Sequence, residues 1–241
     1  MDLDLARVRA TKLLRLARKR DLWPAARQGV VPALEHAHVP FAASYDVVVD
    51  VGASRGQFAW FASDRWPQAR LICFEPLPEA QAKLREMLGE RIALHPAAVS
   101  DAAGQMALHV SASDDSSSLL SIGSRQVSEF PGTQETGTIT VDVVRLADVL
   151  NAGDLGSSAL LKIDVQGAEL SVLQGAGELL AAFSDVYCEC SFVELYEGQA
   201  LIGDIVAFLS RHEFRIASVD NVARSASGEA LQADVLFRRP R

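Results

Sequence analysis

An open, mostly parallel α/β sheet wound by helices on both faces is predicted by three observations. Five apolar runs, at 47–51, 70–74, 91–95, 159–164 and 185–190, alternate with helix-like segments at 57–66, 79–88, 168–180 and 201–211. The first run, Val47, Val48, Val49 and Val51, is nearly continuous rather than alternating, as a strand covered on both faces requires. The chain then closes with two strand-like runs, 214–219 and 233–237, that have no helix between them and so can pair antiparallel at the sheet edge.

The chain opens with an appendage, residues 1–44. Leu3, Leu5, Val8, Leu13, Leu14 and Leu16 fall close to helical spacing among seven basic residues, which predicts an amphipathic packing helix with a solvated basic face. Pro24, Pro32 and Pro40 punctuate the rest of the appendage, with a short helix expected over 31–37. Glu35, His36 and His38 lie there, either as surface residues of a covering helix or on a lid that lends a base to the cleft beneath.

Residues 45–241 form the main domain. After the first strand, Gly52 and Gly56 allow a tight turn and a close backbone approach to a ligand, and the next helix runs to Pro67. The second strand ends in Glu75 and Pro76. Glu75 stands 19 positions after Gly56, where an acid at the end of the second strand hydrogen-bonds the ribose of an adenosine ligand. The third strand leads to a loop at 97–101, where Ala98 is a candidate to pack on an adenine and Asp101 to reach its amino edge; turn chemistry also accounts for Ser100 and Asp101. Two further strand-like runs, 106–110 and 138–143, flank a polar stretch that composition leaves open as a flexible or a substrate-facing loop. The fourth core strand ends in Asp164 and turns at Gly167, and Glu189 sits near the end of the fifth. Together these predict a doubly wound, Rossmann-like, seven-stranded sheet with an antiparallel last strand and an extra strand pair between strands 3 and 4.

Composition narrows the function. A hydrophobic share of 49% and a charged share of 22% suit a soluble globular chain, and no apolar run approaches the roughly 20 residues that span a bilayer. The N-terminus lacks a secretory pattern, so the expected location is the cytoplasm. Cys73, Cys188 and Cys190 sit in strand-like runs as buried thiols, with no zinc-site partners, so no metal is expected. A net charge of −8 argues against a nucleic-acid substrate. The turn and the acid are shared by nicotinamide oxidoreductases and by class I S-adenosylmethionine methyltransferases. The loop Gly52-Ala53-Ser54-Arg55-Gly56 lacks the G-x-G-x-x-G pattern, and Asp50 ahead of it is suited to the ammonium of a methionine moiety, which favours the methyl donor. A nicotinamide enzyme and a non-catalytic binding protein of the same fold are the alternatives.

Six segments in order, VVVDVGASRGQF at 47–58, FEP at 74–76, AAVSD at 97–101, SSSL at 116–119, LLKIDVQGAEL at 160–170 and CSFVELYEGQ at 190–199, resemble the FkbM family of methyltransferases. The resemblance implies a class I methyltransferase fold, S-adenosylmethionine as cofactor, and methylation of hydroxyls on natural products, sugars or glycans. Two positions depart from it: the family usually reads GAN at Gly52-Ala53-Ser54 and IDVEG where this chain has Gln166, whose missing charge weakens an acid/base role there. The donor-site candidates are Asp50, Gly52, Ala53, Ser54, Gly56, Phe58, Glu75, Pro76, Ala98, Asp101 and Asp164. For the base that takes the acceptor's proton the order is Asp164, Glu189, His36, with a helix cap or a partner of Lys162 as the other reading of Asp164. Glu194 and Tyr196 are placed at the acceptor, Tyr196 alternatively as a buried wedge. The acceptor is expected to be a small molecule or saccharide, and an isologous homodimer is the oligomer the sequence allows.

Overall fold

The computed structural model describes residues 34–113 and 115–240. The amphipathic helix read at the N-terminus lies outside the described residues, as do the first three residues of the short helix at 31–37. The remainder of that helix is a 3-10 turn, Leu34–His38. After it the chain runs through β1 (Val47–Val51), α1 (Gln57–Arg65), β2 (Arg70–Phe74), α2 (Pro78–Leu88), β3 (Ile92–His95), β4 (Ala98–Val99), β5 (Gly104–Ser111) and α3 (Ser124–Glu129). Then come β6 (Glu135–Val144), α4 (Leu146–Val149), β7 (Ala159–Ile163), α5 (Glu169–Ala176), β8 (Asp185–Ser191), α6 (Ile202–Arg211), β9 (Arg215–Arg224) and β10 (Ala230–Arg238).

The main sheet has seven strands in the order β3-β2-β1-β7-β8-β10-β9. All pairs from β3 to β8 are parallel, and β10 is antiparallel to both β8 and β9. All five residues of β1 are buried because both sheet faces are covered. On one face Val48, Leu71, Leu160 and Tyr187 pack under Phe58 and Phe61 of α1 and under Val39, Phe41 and Tyr45 of the segment before β1. On the other, Val49, Ile72, Leu161 and Val186 pack against Leu146, Val172, Leu173 and Leu209. Burial of such side chains, at about 1.5–3 kcal/mol each, is what holds the helices on the sheet.

The extra strand pair is β5 and β6, antiparallel, and it leaves the main sheet to form a small sheet with β4. Two residues read as loop, Ala98 and Val99, are therefore strand, paired in parallel with Val143 and Val144. The helix expected over 168–180 is α only to Ala176; Gly177, at φ 51°, converts the rest to a 3-10 turn, Gly177–Ala182. The link from β6 to β7 carries α4 and a 3-10 turn, Ala152–Leu155, too short for apolar spacing to indicate. Register is the feature that builds the site. Val51 pairs with both Phe74 and Ile163, and Ile163 pairs with Cys188, so Gly52, Glu75 and Asp164 leave the sheet side by side, with Glu189 of β8 next to Asp164.

Candidate functional site

The cleft above the ends of β1, β2 and β7 spans about 630 Å³, a volume that includes open solvent at its mouth. Gly52, at φ 76°, begins its floor: a Cβ there would run into the Asp164 carbonyl oxygen, so only glycine lets the loop lie against the end of β7. The Gly52 and Ala53 N–H groups donate to Phe74 O (both 3.1 Å), and Gly56 N–H donates to Ala53 O. Ser54 N–H donates to Glu75 Oε2 (2.7 Å) and Leu77 N–H to Glu75 Oε1 (2.8 Å). The Glu75 carboxylate, only 4% exposed, is thereby fixed with one oxygen on each strand-end loop, and each oxygen retains a lone pair. Burial pushes its pKa up to about 7, opposed by those two N–H bonds. Pro76, Leu77, Ala98, Leu108 and Leu119 supply apolar walls. The charged lining consists of Glu75, Asp115 and Asp164, with no Lys or Arg among the described lining residues.

Beside the cleft lies a polar cluster on the β7, β8 and β10 strand ends. Gln166 Nε2 donates to Asp164 Oδ1 (2.7 Å) and to Glu189 Oε2 (3.1 Å). Gln232 Nε2 donates to the other Glu189 oxygen (2.7 Å). Asp234, the register partner of Glu189, accepts from Asn221 Nδ2 (2.7 Å) and lies 3.6 Å from His36 Nδ1. Behind both regions Lys162 Nζ contacts Asp50 Oδ1 (3.0 Å), Asp164 Oδ2 (3.6 Å) and the Gly52 carbonyl oxygen (3.2 Å). Burial opposes charge on Lys162, but Asp50 and then Asp164 hold its pKa above the ordinary lysine value.

A family model for the methyltransferase FkbM domain matches residues 50–216, a span that contains the cleft and, of the cluster, Asp164, Gln166 and Glu189. The chain belongs to the FkbM methyltransferase family. Among its relatives, 2-O-methyltransferase NoeI of Sinorhizobium fredii is 34% identical over 200 residues, covering 80% of this chain and 79% of that one. The 31-O-demethyl-FK506 methyltransferase FkbM of Streptomyces tacrolimicus is 30% identical over 198 residues, covering 72% and 74%. S-adenosylmethionine is accordingly the methyl donor of this FkbM-family chain.

The residues present fit that donor. A sulfonium and an ammonium are cations, and the cleft lining is acidic. Ser54 Oγ is buried at the cleft wall with no hydrogen-bond partner among the described residues, an orphaned group that a polar ligand would satisfy. Of the donor-site candidates, Gly52, Ser54, Glu75, Pro76, Ala98 and Asp164 line this one cleft. The others stand elsewhere. Asp50, read as a contact to an ammonium, is 1% exposed and faces Lys162, because its position on β1 points it under α1 rather than into the cleft. Phe58 belongs to the aromatic core with Lys162 Nζ 5.6 Å from its ring centroid, Ala53 is buried beside Cys73 and Leu84, and Gly56 starts α1 tight against Leu84. Asp101 is exposed and accepts from Ser100 Oγ (3.1 Å), outside the cleft.

Among the base candidates, Asp164 lines the cleft with its side chain 38% exposed. Burial, then Asp164 and Asp234, push Glu189 well above the ordinary carboxyl range. His36 is part of the sheet-side cluster: its Nδ1 is 2.8 Å from Tyr187 Oη, and burial lowers its pKa to about 4, so the ring is neutral at pH 7. Glu194 is exposed and accepts from Gly198 N–H (2.7 Å), shaping its own loop. Tyr196 is 2% exposed, the wedge alternative in geometry, and its hydroxyl donates toward Gln166 Oε1 (2.8 Å) and Ser116 O (3.1 Å).

Sequence reasoning missed Gln232, Asp234, Asn221 and the bridging role of Gln166; Asp115 lies in the polar stretch that composition leaves open as a flexible or a substrate-facing loop, and it lines the cleft. A signal existed for Asp234 alone: an acid inside an apolar last strand that the antiparallel register sets opposite Glu189.

Proposed function

We propose that this protein is an S-adenosylmethionine-dependent O-methyltransferase acting on a hydroxyl of a small molecule, natural product or saccharide. The observation that carries the reading is the continuity of an acidic cleft, with no Lys or Arg among its described lining residues, with a pair of carboxylates at its rim, Asp164 and Glu189. In the proposal Glu75 takes the ribose hydroxyls, Pro76, Leu77 and Ala98 take the adenine faces, and Gly52, Ser54 and Asp164 face the amino-acid end. Asp50 acts from behind by fixing Lys162, which in turn binds the Gly52 carbonyl. Bound there, the donor supplies an electrophilic methyl group on sulfur.

The chain's own residues then have two tasks. They align an acceptor oxygen, and they receive its proton. Asp164 Oδ1 accepts from Gln166, so the proton goes to Oδ2, the oxygen that also faces Lys162 Nζ at 3.6 Å. Glu189 and Asp234 sit next in line to hold the acceptor's other hydroxyls. A dinucleotide is disfavoured, because a pyrophosphate would meet Glu75, Asp115 and Asp164 with no Lys or Arg among the described lining residues, and the Gly52, Ala53 and Ser54 N–H groups are already engaged. The test is calorimetric titration with S-adenosylhomocysteine, followed by a mass-shift screen of hydroxylated natural products and saccharides. Saturable binding and a gain of one methyl group are expected; no binding overturns the reading.

A further inference from the structure

Gln166 occupies a position that its backbone resists. Its φ is 58°, in the left-handed region that costs a non-glycine residue about 1–2 kcal/mol. The strain is held by side-chain bonds from distant parts of the chain: Ser118 Oγ donates to Gln166 O (2.6 Å), and Gly167 packs against Tyr196 and Gln199. The side-chain amide is fully used. Tyr196 donates to its oxygen, which fixes the amide the right way round, so that both N–H bonds point at carboxylates. The second oxygen of Glu189 is held by another amide, Gln232. Neither amide brings a charge, so the charge balance of the pair is set by Lys162 beside Asp164 Oδ2 and by the burial that raises the Glu189 pKa.

We propose that Gln166 is a positioning residue, which aims Asp164 Oδ2 at the acceptor hydroxyl and keeps Glu189 beside it as the partner carboxyl. The proposal rests on the methyltransferase reading, in which Asp164 takes the acceptor's proton. The surroundings explain why an amide stands here. Lys162 is the ammonium facing the group from β7, and it is shared with Asp50 of β1. Asp234 of β10 and Glu169 of α5 are further acids, their pKa values raised by burial to about 6 and about 7, Tyr196 contributes a neutral hydroxyl, and His36 faces Asp164 as a neutral ring. A glutamate at 166, as the family motif usually reads, would be a further acid among these, within hydrogen-bond distance of two others. Like charges that close do not all ionise, so such a trio retains a proton. The chain's Gln166 gives the same bridge without adding a third acid to Asp164 and Glu189.

The experiment compares wild type, Gln166→Glu and Gln166→Met by urea unfolding from about pH 5 to about pH 8, with S-adenosylhomocysteine affinity measured on each. Gln166→Glu is expected to have a urea midpoint near wild type at the acid end and to fall progressively below it as pH rises. The added carboxyl binds its proton more tightly in the folded than in the unfolded chain, so stability is lost as that proton leaves. Gln166→Met, which lacks both donors to Asp164 and Glu189, is expected to fall below wild type by a margin that grows with pH less steeply than that of Gln166→Glu, because it adds no acid. Nucleoside affinity, measured on each variant, reports separately on the cleft that Gln166 lines and on Asp164, which it holds. A difference between Gln166→Glu and wild type that does not change with pH overturns the proposal. Absence of nucleoside binding by wild type itself would instead overturn the donor reading, and the pH series would still judge the bridge.

Discussion

The two halves of the site are built by opposite means. The donor side is made of backbone: Gly52, Ala53 and Ser54 N–H groups tie the first loop to Phe74 O and Glu75, and one left-handed glycine sets the approach to β7. The rim at β7, β8 and β10 is made of side chains: Gln166, Gln232 and Asn221 amides each hold a carboxylate from another strand. A backbone cradle is indifferent to most side-chain changes and suits a ligand that does not vary. A side-chain array can be rewritten one residue at a time, which suits the part of the site that selects an acceptor.

The sharpest way to break this division is at the element common to both halves. Asp50→Ala leaves Lys162 buried without its nearest carboxylate, and loss of one partner of a buried pair costs about 3–5 kcal/mol. Urea unfolding should show that loss; an effect under about 1 kcal/mol would mean that the pair is not what holds the two regions together. Asp164→Asn is next. It removes the proton acceptor and keeps the shape, so methyl transfer to an acceptor that wild type modifies should fall about 10²–10⁴-fold while the chain remains folded. Unchanged turnover would move the base to Glu189 or His36.

A smaller effect tests the donor half alone. The Glu75 pKa is raised from 4.5 to about 7, chiefly by burial. Below 4.5 the carboxyl is protonated in the folded and unfolded chain alike, and its full contribution to stability is present. As pH rises toward 7 the unfolded chain ionises first, and that contribution is lost. Glu75→Gln should therefore flatten the decline of stability across that window, measured by urea midpoints. A decline identical to wild type would show that the carboxyl is not held away from water as described.

The same division explains what can be read from the amino-acid order. Strand β1, the glycine turn and Glu75 are contiguous or set by the length of one βα unit, so spacing alone brings Gly52, Ser54, Glu75 and Ala98 to one cleft. Spacing misplaces Asp50 because the side a residue takes at a strand end depends on what packs there, and Lys162 is more than a hundred residues away. The rim draws on Asp164, Glu189, Asn221, Gln232 and Asp234, whose proximity is created by the β8–β10 register and by a left-handed Gln166. No local pattern announces either. The small sheet is legible as a strand pair, but its third strand is two residues long and exists only through pairing with β6.

If donor binding belongs to the backbone cradle around Glu75, and acceptor chemistry to the rim around Glu189, the two carboxylates must answer differently to the same ligand. Calorimetric titration of S-adenosylhomocysteine into Glu75→Gln and Glu189→Gln tests this most directly. Removing the charged acceptor of the ribose should weaken affinity by about 1.5–3 kcal/mol in Glu75→Gln, and Glu189→Gln should bind as wild type does. Equal loss in both variants, or loss in Glu189→Gln alone, would contradict the division.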